Sequence, residues 1–163
     1  KLIQIKKMIS VETISNHQLW NKKLKKKSVF FDKLIKFFPK KYKYDNKKVN
    51  LTVLLSNNKN IKKLNKKFRK KNIATDILSF PFDKKPFTKK NIYLGDMIIS
   101  YEFINKPKYQ SILQFKKKVI KIFIHGFLHL LNYDHITLKD FNKMNKEEKK
   151  IYNFISKNFE KII

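Results

Sequence analysis

Residues 119–135 read VIKIFIHGFLHLLNYDH, and this stretch decides the fold. Val119, Ile120, Ile122, Phe123, Ile124, Phe127, Leu128, Leu130 and Leu131 leave almost no polar side. A helix that is apolar all round is enclosed by other elements, so the segment from about Ser111 to Leu131 is expected to be a central, buried helix. Three of the four histidines in the chain, His125, His129 and His135, fall at its end. His125 and His129 stand at i and i+4, which puts both rings on one face. That spacing lets two imidazoles share one metal at ~2.0–2.1 Å. His135 lies past the helix, where a turn over 132–136 can fold its ring back as a third ligand. Three protein nitrogens leave a position open for water, as in catalytic rather than structural zinc sites. A lone histidine on an apolar face is usually a hydrogen-bonded core residue. Two neutral imidazoles facing each other in a dry helix need partners for four ring nitrogens, and one metal satisfies a nitrogen on each. His17, on a Lys-rich helix, is expected at the surface.

Gly126 sits inside this helix although the chain has only two glycines, the other being Gly95. A mid-helix Gly costs about 1 kcal/mol relative to Ala. Either a close approach of backbone or substrate keeps it there, or the helix packs against a strand at that point. Zinc peptidases carry their general-base Glu directly after the first His, in H-E-x-x-H. Gly126 occupies that position, which makes a peptidase the weaker alternative. Asp134 either orients a ligand imidazole through its second nitrogen or shapes the turn. Asp96, next to Gly95 in an apolar run, is a further candidate for an orienting or basic carboxylate.

Outward from the histidines, Thr137 with Asp140 three residues on predicts an N-cap and a last helix through Met144, Ile151, Phe154 and Ile155. Toward the N-terminus, Tyr101–Asn105 predicts a short helix ending before Pro107, while IYLGDMIIS and KKNIATDILSFPF predict strands, the second drawing its apolar content from Ile77, Leu78 and Phe80 and ended by Pro81. Val49–Leu55 is a β-branched run suited to a buried strand. Ser56 is expected to cap a polar helix through Ile61, Leu64 and Phe68 with Arg69 at its C-terminal end, where a cation suits the dipole. Ser15–Phe38 has helical spacing, read as one helix with an interruption near Lys27, closed by Pro39. Residues 2–9 alternate as a short edge strand. No repeat or linker divides the chain. The expectation is a single metallohydrolase domain over 1–163 of the α+β class: a sheet of about four strands, packed with about five helices around the buried helix that carries the metal-ligand histidines.

The 163 residues include 40 Lys or Arg against 12 Asp or Glu, a formal net charge of +28. Arg69 is the only arginine. The crowding of Lys, Asn and Ile fits a compositional drift toward A and T in the gene, so part of the charge is background. A field of this size still attracts polyanions, and nucleic acid is the partner class to beat. Cysteine is absent, which excludes thiolate zinc ligands, a disulfide scaffold and a cysteine nucleophile. No stretch approaches 18 apolar residues, and lysines break the apolar run of KLIQIKKMI, so neither a membrane span nor a signal peptide is expected and the location is expected to be cytoplasmic.

HGFLHLLNYDH at 125–135, TDILSFP at 75–81, LGDMIIS at 94–100 and NKKFR at 65–69 together resemble the bacterial YbeY family, single-strand-specific endoribonucleases of rRNA maturation. Their order and spacing match over about Leu51 to His135. The family signature has Gly where this chain has Asn132; Asn tolerates the left-handed conformation best after Gly, which implies the same turn. The resemblance implies an α+β metallohydrolase, one zinc ion on His125, His129 and His135, processing of the 3′ end of small-subunit rRNA, and ribosomal or pre-ribosomal partners, with no small-molecule cofactor. It also implies a functional Arg69.

The chemistry of Arg69 agrees. A guanidinium offers a phosphate a planar fork that an ammonium does not. The expected reaction is hydrolysis of a single-stranded RNA phosphodiester, with zinc activating water and Arg69 neutralising developing charge; no general base is assigned. The alternative from another class is a non-catalytic ribosome-assembly factor with a structural zinc that merely binds RNA.

Overall fold

The computed structural model describes residues 9–44 and 46–163. A four-stranded sheet runs in the order β1 (Ile9–Ser15), β2 (Lys48–Ser56), β4 (Asn91–Ser100), β3 (Ile77–Pro81). β1, β2 and β4 are parallel, and β3 is an antiparallel edge strand. The edge strand expected over 2–9 lies outside the described residues except for Ile9. β1 follows it as an edge strand whose buried content is Ile9 and Val11.

Ser79 pairs with Met97 and Phe80 with Asp96. Because side chains alternate across a strand, Ile77, Ser79 and Met97 share one face of the sheet and Leu78, Phe80, Asp96 and Ile98 the other. On the first face lies α5 (Ile112–Leu130), the expected buried helix. Its Phe115, Val119, Ile120, Phe123 and Phe127 are fully enclosed and meet Trp20, Phe31 and Phe38 from the N-terminal third. On the second face α3 (Asn58–Arg69) buries Ile61 against Leu78 and Ile98. A capping box starts α5: Ser111 Oγ accepts from Gln114 N at 3.1 Å and Gln114 Oε1 from Ser111 N at 3.0 Å. Thr137 caps α6 (Leu138–Ser156) as its spacing predicts, accepting from Asp140 N at 3.1 Å.

The described residues form seven α-helices instead of about five. The helix expected over 15–38 is two, α1 (Trp20–Lys23) and α2 (Lys27–Lys36). Five lysines in the six residues 22–27 would meet one another at i+3 and i+4 in a continuous helix. The indole of Trp20 instead donates to the Ser56 carbonyl at 2.9 Å, tying α1 to the end of β2. α4 (Tyr101–Ile104) falls where a short helix is expected, and α7 (Phe159–Ile162) is a single turn too short to carry a period. The cap of α3 is Asn57, whose Oδ1 accepts from Asn60 N at 2.9 Å, one residue later than expected. Ser56 remains in β2. None of the described helices is long and apolar enough to cross a membrane.

Candidate metal centre

The end of α5 builds the site. Asn132 adopts φ +64°, Asn132 N donates to the His129 carbonyl and Tyr133 N to the Leu128 carbonyl. These two bonds around a left-handed residue make a Schellman turn, closed here by Asn rather than Gly. The turn sends the chain back along the helix, so the Tyr133 carbonyl reaches His129 Nδ1 at 2.9 Å and the His135 ring returns beside the other two. Ring centroids are 4.7 Å apart for His125 and His129, 5.0 Å for His129 and His135, and 5.7 Å for His125 and His135. One ring nitrogen from each falls within 4.8 Å of the others.

The hydrogen-bond partners decide what this cluster can hold. His129 Nδ1 faces a carbonyl, which only accepts, so the proton of the neutral ring is on Nδ1. His125 Nδ1 faces Glu148 Oε1 at 2.5 Å, and a carboxylate likewise accepts. In their neutral forms both rings turn an unprotonated Nε2 inward, and these two nitrogens stand 3.1 Å apart. Two lone pairs at that distance do not bond to each other, and a cation held between them, proton or metal, satisfies both. Nitrogens at ~2.0–2.1 Å from a tetrahedral zinc lie about 3.3 Å apart, close to the spacing observed. The three imidazoles could hold a metal ion, and the spacing of the first two is one that a tetrahedral zinc accepts. The pKa of His129 is lowered, first by burial and then by the facing His125, against a smaller opposing effect of the Tyr133 carbonyl. The ring is accordingly held neutral, the form that binds a metal.

The other sequence candidates fall in three places. Arg69 is the last residue of α3, and its Nη2 donates to the Ser79 carbonyl on β3 at 3.2 Å. The Ser79 side chain faces α5 at Gly126, where its Oγ is 3.0 Å from the position of a glycine Cβ. Arg69 thus joins α3 to the strand that α5 packs on. Gly126 is explained by that packing: a Cβ there would also stand 2.5 Å from Ile77 Cδ1 and 2.7 Å from Met97 Sδ. Asp134 shapes the turn, its Oδ1 accepting from His135 N at 2.7 Å. Asp96 is not brought to the histidines. Strand alternation puts it on the face opposite Met97, where Tyr93 donates to it at 2.6 Å and Thr52 meets the same phenol at 2.7 Å. The carboxylate that does reach an imidazole is Glu148 on α6, absent from the sequence reading. The only available sign was a Glu147–Glu148 pair inside a Lys-rich helix.

Comparison with known proteins places the chain in a family. Residues 12–156 match the family model described as endoribonuclease YbeY. A protein of Pelagibacter ubique named endoribonuclease YbeY is 66% identical over 148 residues, covering 91% of this chain and 97% of its own. Its namesake from Buchnera aphidicola subsp. Schizaphis graminum is 40% identical over 139 residues, covering 83% and 82%. A Thermotoga maritima protein solved in solution shares the fold with a TM-score of 0.56 at 24% identity, over 93% of this chain and 92% of its own. With the model spanning the sheet, the histidine helix and α6, the chain belongs to the endoribonuclease YbeY family.

Proposed function

We propose that this protein is a zinc-dependent, single-strand-specific endoribonuclease of late rRNA processing, acting at the 3′ end of the small-subunit rRNA within a ribosomal or pre-ribosomal particle in the cytoplasm. The whole chain serves as one metallohydrolase domain. The observation that carries the reading is the pair of inward Nε2 lone pairs of His125 and His129, 3.1 Å apart, with His135 beside them. Family membership supports RNA as the substrate.

His125, His129 and His135 would hold one zinc ion. When bound, zinc supplies water activated near neutral pH and positive charge beside a phosphoryl oxygen. The Schellman turn and the Tyr133 carbonyl keep His129 aimed inward. Arg69 spends one of its five N–H groups on Ser79 and keeps the others for a phosphate. Its charge opposes the negative charge that builds up on the phosphorus oxygens during cleavage. The surrounding lysines retain the polyanion without selecting a sequence.

Metal content after dialysis, measured beside cleavage of a labelled single-stranded RNA, tests the reading. Wild type is expected to retain about one zinc per chain and to cleave; His125→Ala, His129→Ala and His135→Ala lose most of both, because two nitrogens hold the ion poorly. His17→Ala changes neither. Stoichiometric zinc in His129→Ala, or full cleavage by protein shown to be metal-free, overturns it.

A further inference from the structure

Glu148 accepts from His125 Nδ1 across the α5–α6 interface, 23 residues along the chain. Among the described residues two adjacent acids of α6 each meet a nitrogen of another element, Glu147 that of Lys41 and Glu148 that of His125. The pairing of Glu148 is unexpected on composition. With 40 basic residues against 12 acidic, and Lys146, Lys149 and Lys150 as near neighbours, a surface glutamate has lysines to choose from. It meets an imidazole instead.

The helix dictates this. Successive residues are 100° apart around a helix, and the buried stripe of α6 is Met144, Glu147, Ile151 and Ile155. Glu147 points into the protein, where the Tyr42 hydroxyl donates to it and Lys41 pairs with it. With that rotation fixed, Glu148 lies at the edge of the stripe, on the side where α5 presents His125. Met144 and Ile151 hold the register of α6, so the carboxylate is delivered by the core and not by a flexible loop. The two inward rings are supported differently. His129 leans on a backbone carbonyl that no substitution removes, whereas His125 leans on a side chain.

We propose that Glu148 is the positioning residue of the metal centre: by accepting the Nδ1 proton it keeps His125 in the tautomer and rotamer that turn Nε2 toward the ion. This rests on reading the three histidines as a metal centre. The free neutral histidine side chain in water prefers the proton on Nε2, which would block that nitrogen. Glu148 reverses the preference before any metal arrives, so the site is preorganised in the metal-free chain. Carboxylates that take the second nitrogen of a ligand histidine are worth about 10–100-fold in metal affinity.

Two measurements on the full chain test it. Ring ¹⁵N NMR of the metal-free protein at one fixed pH above the imidazole range reports which nitrogen of His125 carries the proton. Competition with a chromophoric chelator reports the zinc dissociation constant. Wild type is expected to hold the proton on Nδ1. Glu148→Ala shifts it toward Nε2 and weakens zinc by about 10–100-fold. Glu148→Gln, whose amide oxygen still accepts, keeps the Nδ1 proton and loses less affinity. Glu147→Gln lowers thermal stability and leaves the His125 tautomer and the zinc affinity unchanged. An unshifted tautomer with wild-type affinity in Glu148→Ala overturns the proposal, as does an equal loss of affinity in Glu147→Gln. Failure of wild type to take up zinc would refute the metal-centre reading instead, and the NMR comparison would still decide the role of Glu148.

Discussion

The carbonyl oxygen of Phe80 lies 2.1 Å from the point where a Cβ on Gly95 would stand. Gly95 also has φ +133°, a conformation that L side chains rarely adopt. The obstacle is backbone of the neighbouring strand, so it cannot swing aside as a side chain can. Gly95→Ala is expected to separate β3 from β4 and to cost at least ~3 kcal/mol. For a chain of this length that lowers Tm by about 6–12 °C, measured by thermal unfolding. At Gly126 the neighbours are side-chain ends, and Ala also recovers about 1 kcal/mol of helix propensity. Gly126→Ala should therefore fall by clearly less than Gly95→Ala. The reverse order would show that the β3–β4 approach is looser than described.

Glu147 supplies a pH signature. Burial pushes its carboxyl pKa up, but hydrogen bonds from Lys41 and Tyr42 outweigh this and leave it below its ordinary value of 4.5. A carboxyl held low in the folded state stabilises above its unfolded pKa and loses that contribution as pH falls through its lowered one. The difference in Tm between wild type and Glu147→Gln is expected to be constant above about pH 5 and to shrink as pH drops below about 4.5. Other carboxyls titrate in both proteins and cancel. A difference that stays flat down to pH 2 would mean that the Glu147 carboxyl has no favourable partners in the fold.

How much of this was legible in the sequence depends on the range of the contacts involved. β2, β4 and α5 carry their own apolar runs, and Thr137 announces its helix through Asp140 three residues away. The histidine cluster was readable because i, i+4 spacing and one turn bring all three rings together locally. The lysine run marks a weak point near Lys27, but the placing of α1 depends on Trp20 reaching Ser56, 36 residues on, which no periodicity signals. The same holds for Glu148, whose partner sits on another helix. An acid beside a glycine in a strand looks functional, but the face on which Asp96 lies follows from the β3–β4 register, which local sequence does not carry. Ser56 and Asn57 are both good caps, and the indole of Trp20 claiming the Ser56 carbonyl leaves the role to Asn57.

Arg69 should separate rate from affinity. Lysines across the surface supply most non-specific binding, which follows counterion release. Only the guanidinium offers a planar fork, and in Arg69 one N–H is held by Ser79 so that the fork is oriented. Arg69→Lys is expected to lower the rate at saturating RNA by ~10²-fold, the scale of one lost transition-state donor, with little change in RNA affinity at fixed salt. Single-turnover cleavage beside a filter-binding titration measures both. A wild-type rate in Arg69→Lys removes the residue from the site.

The last prediction concerns the form of the substrate. A surface at +28 binds duplex RNA, single strands and DNA alike at low salt, so binding alone discriminates little. Selection has to arise where the reacting phosphate meets the histidines. His125 and His129 are partly buried at the end of α5, between the turn at Asn132 and Glu148 of α6, and of the three rings His135 alone is exposed. A phosphodiester reaches those rings only if its strand bends away from a stacked helix. Unstacking costs a few kcal/mol in a duplex and least in an unpaired segment. RNA duplexes also hide their base edges in a deep, narrow groove, which leaves loops and ends as the accessible form. Metal-dependent cleavage of single-stranded RNA is therefore expected, slow or absent on a perfect duplex and abolished by chelation. The comparison uses one labelled RNA, alone and annealed to its complement, at about 150 mM salt, where the non-specific contribution is reduced. Equal cleavage of the two forms would place selectivity outside the metal centre and sink this account of it.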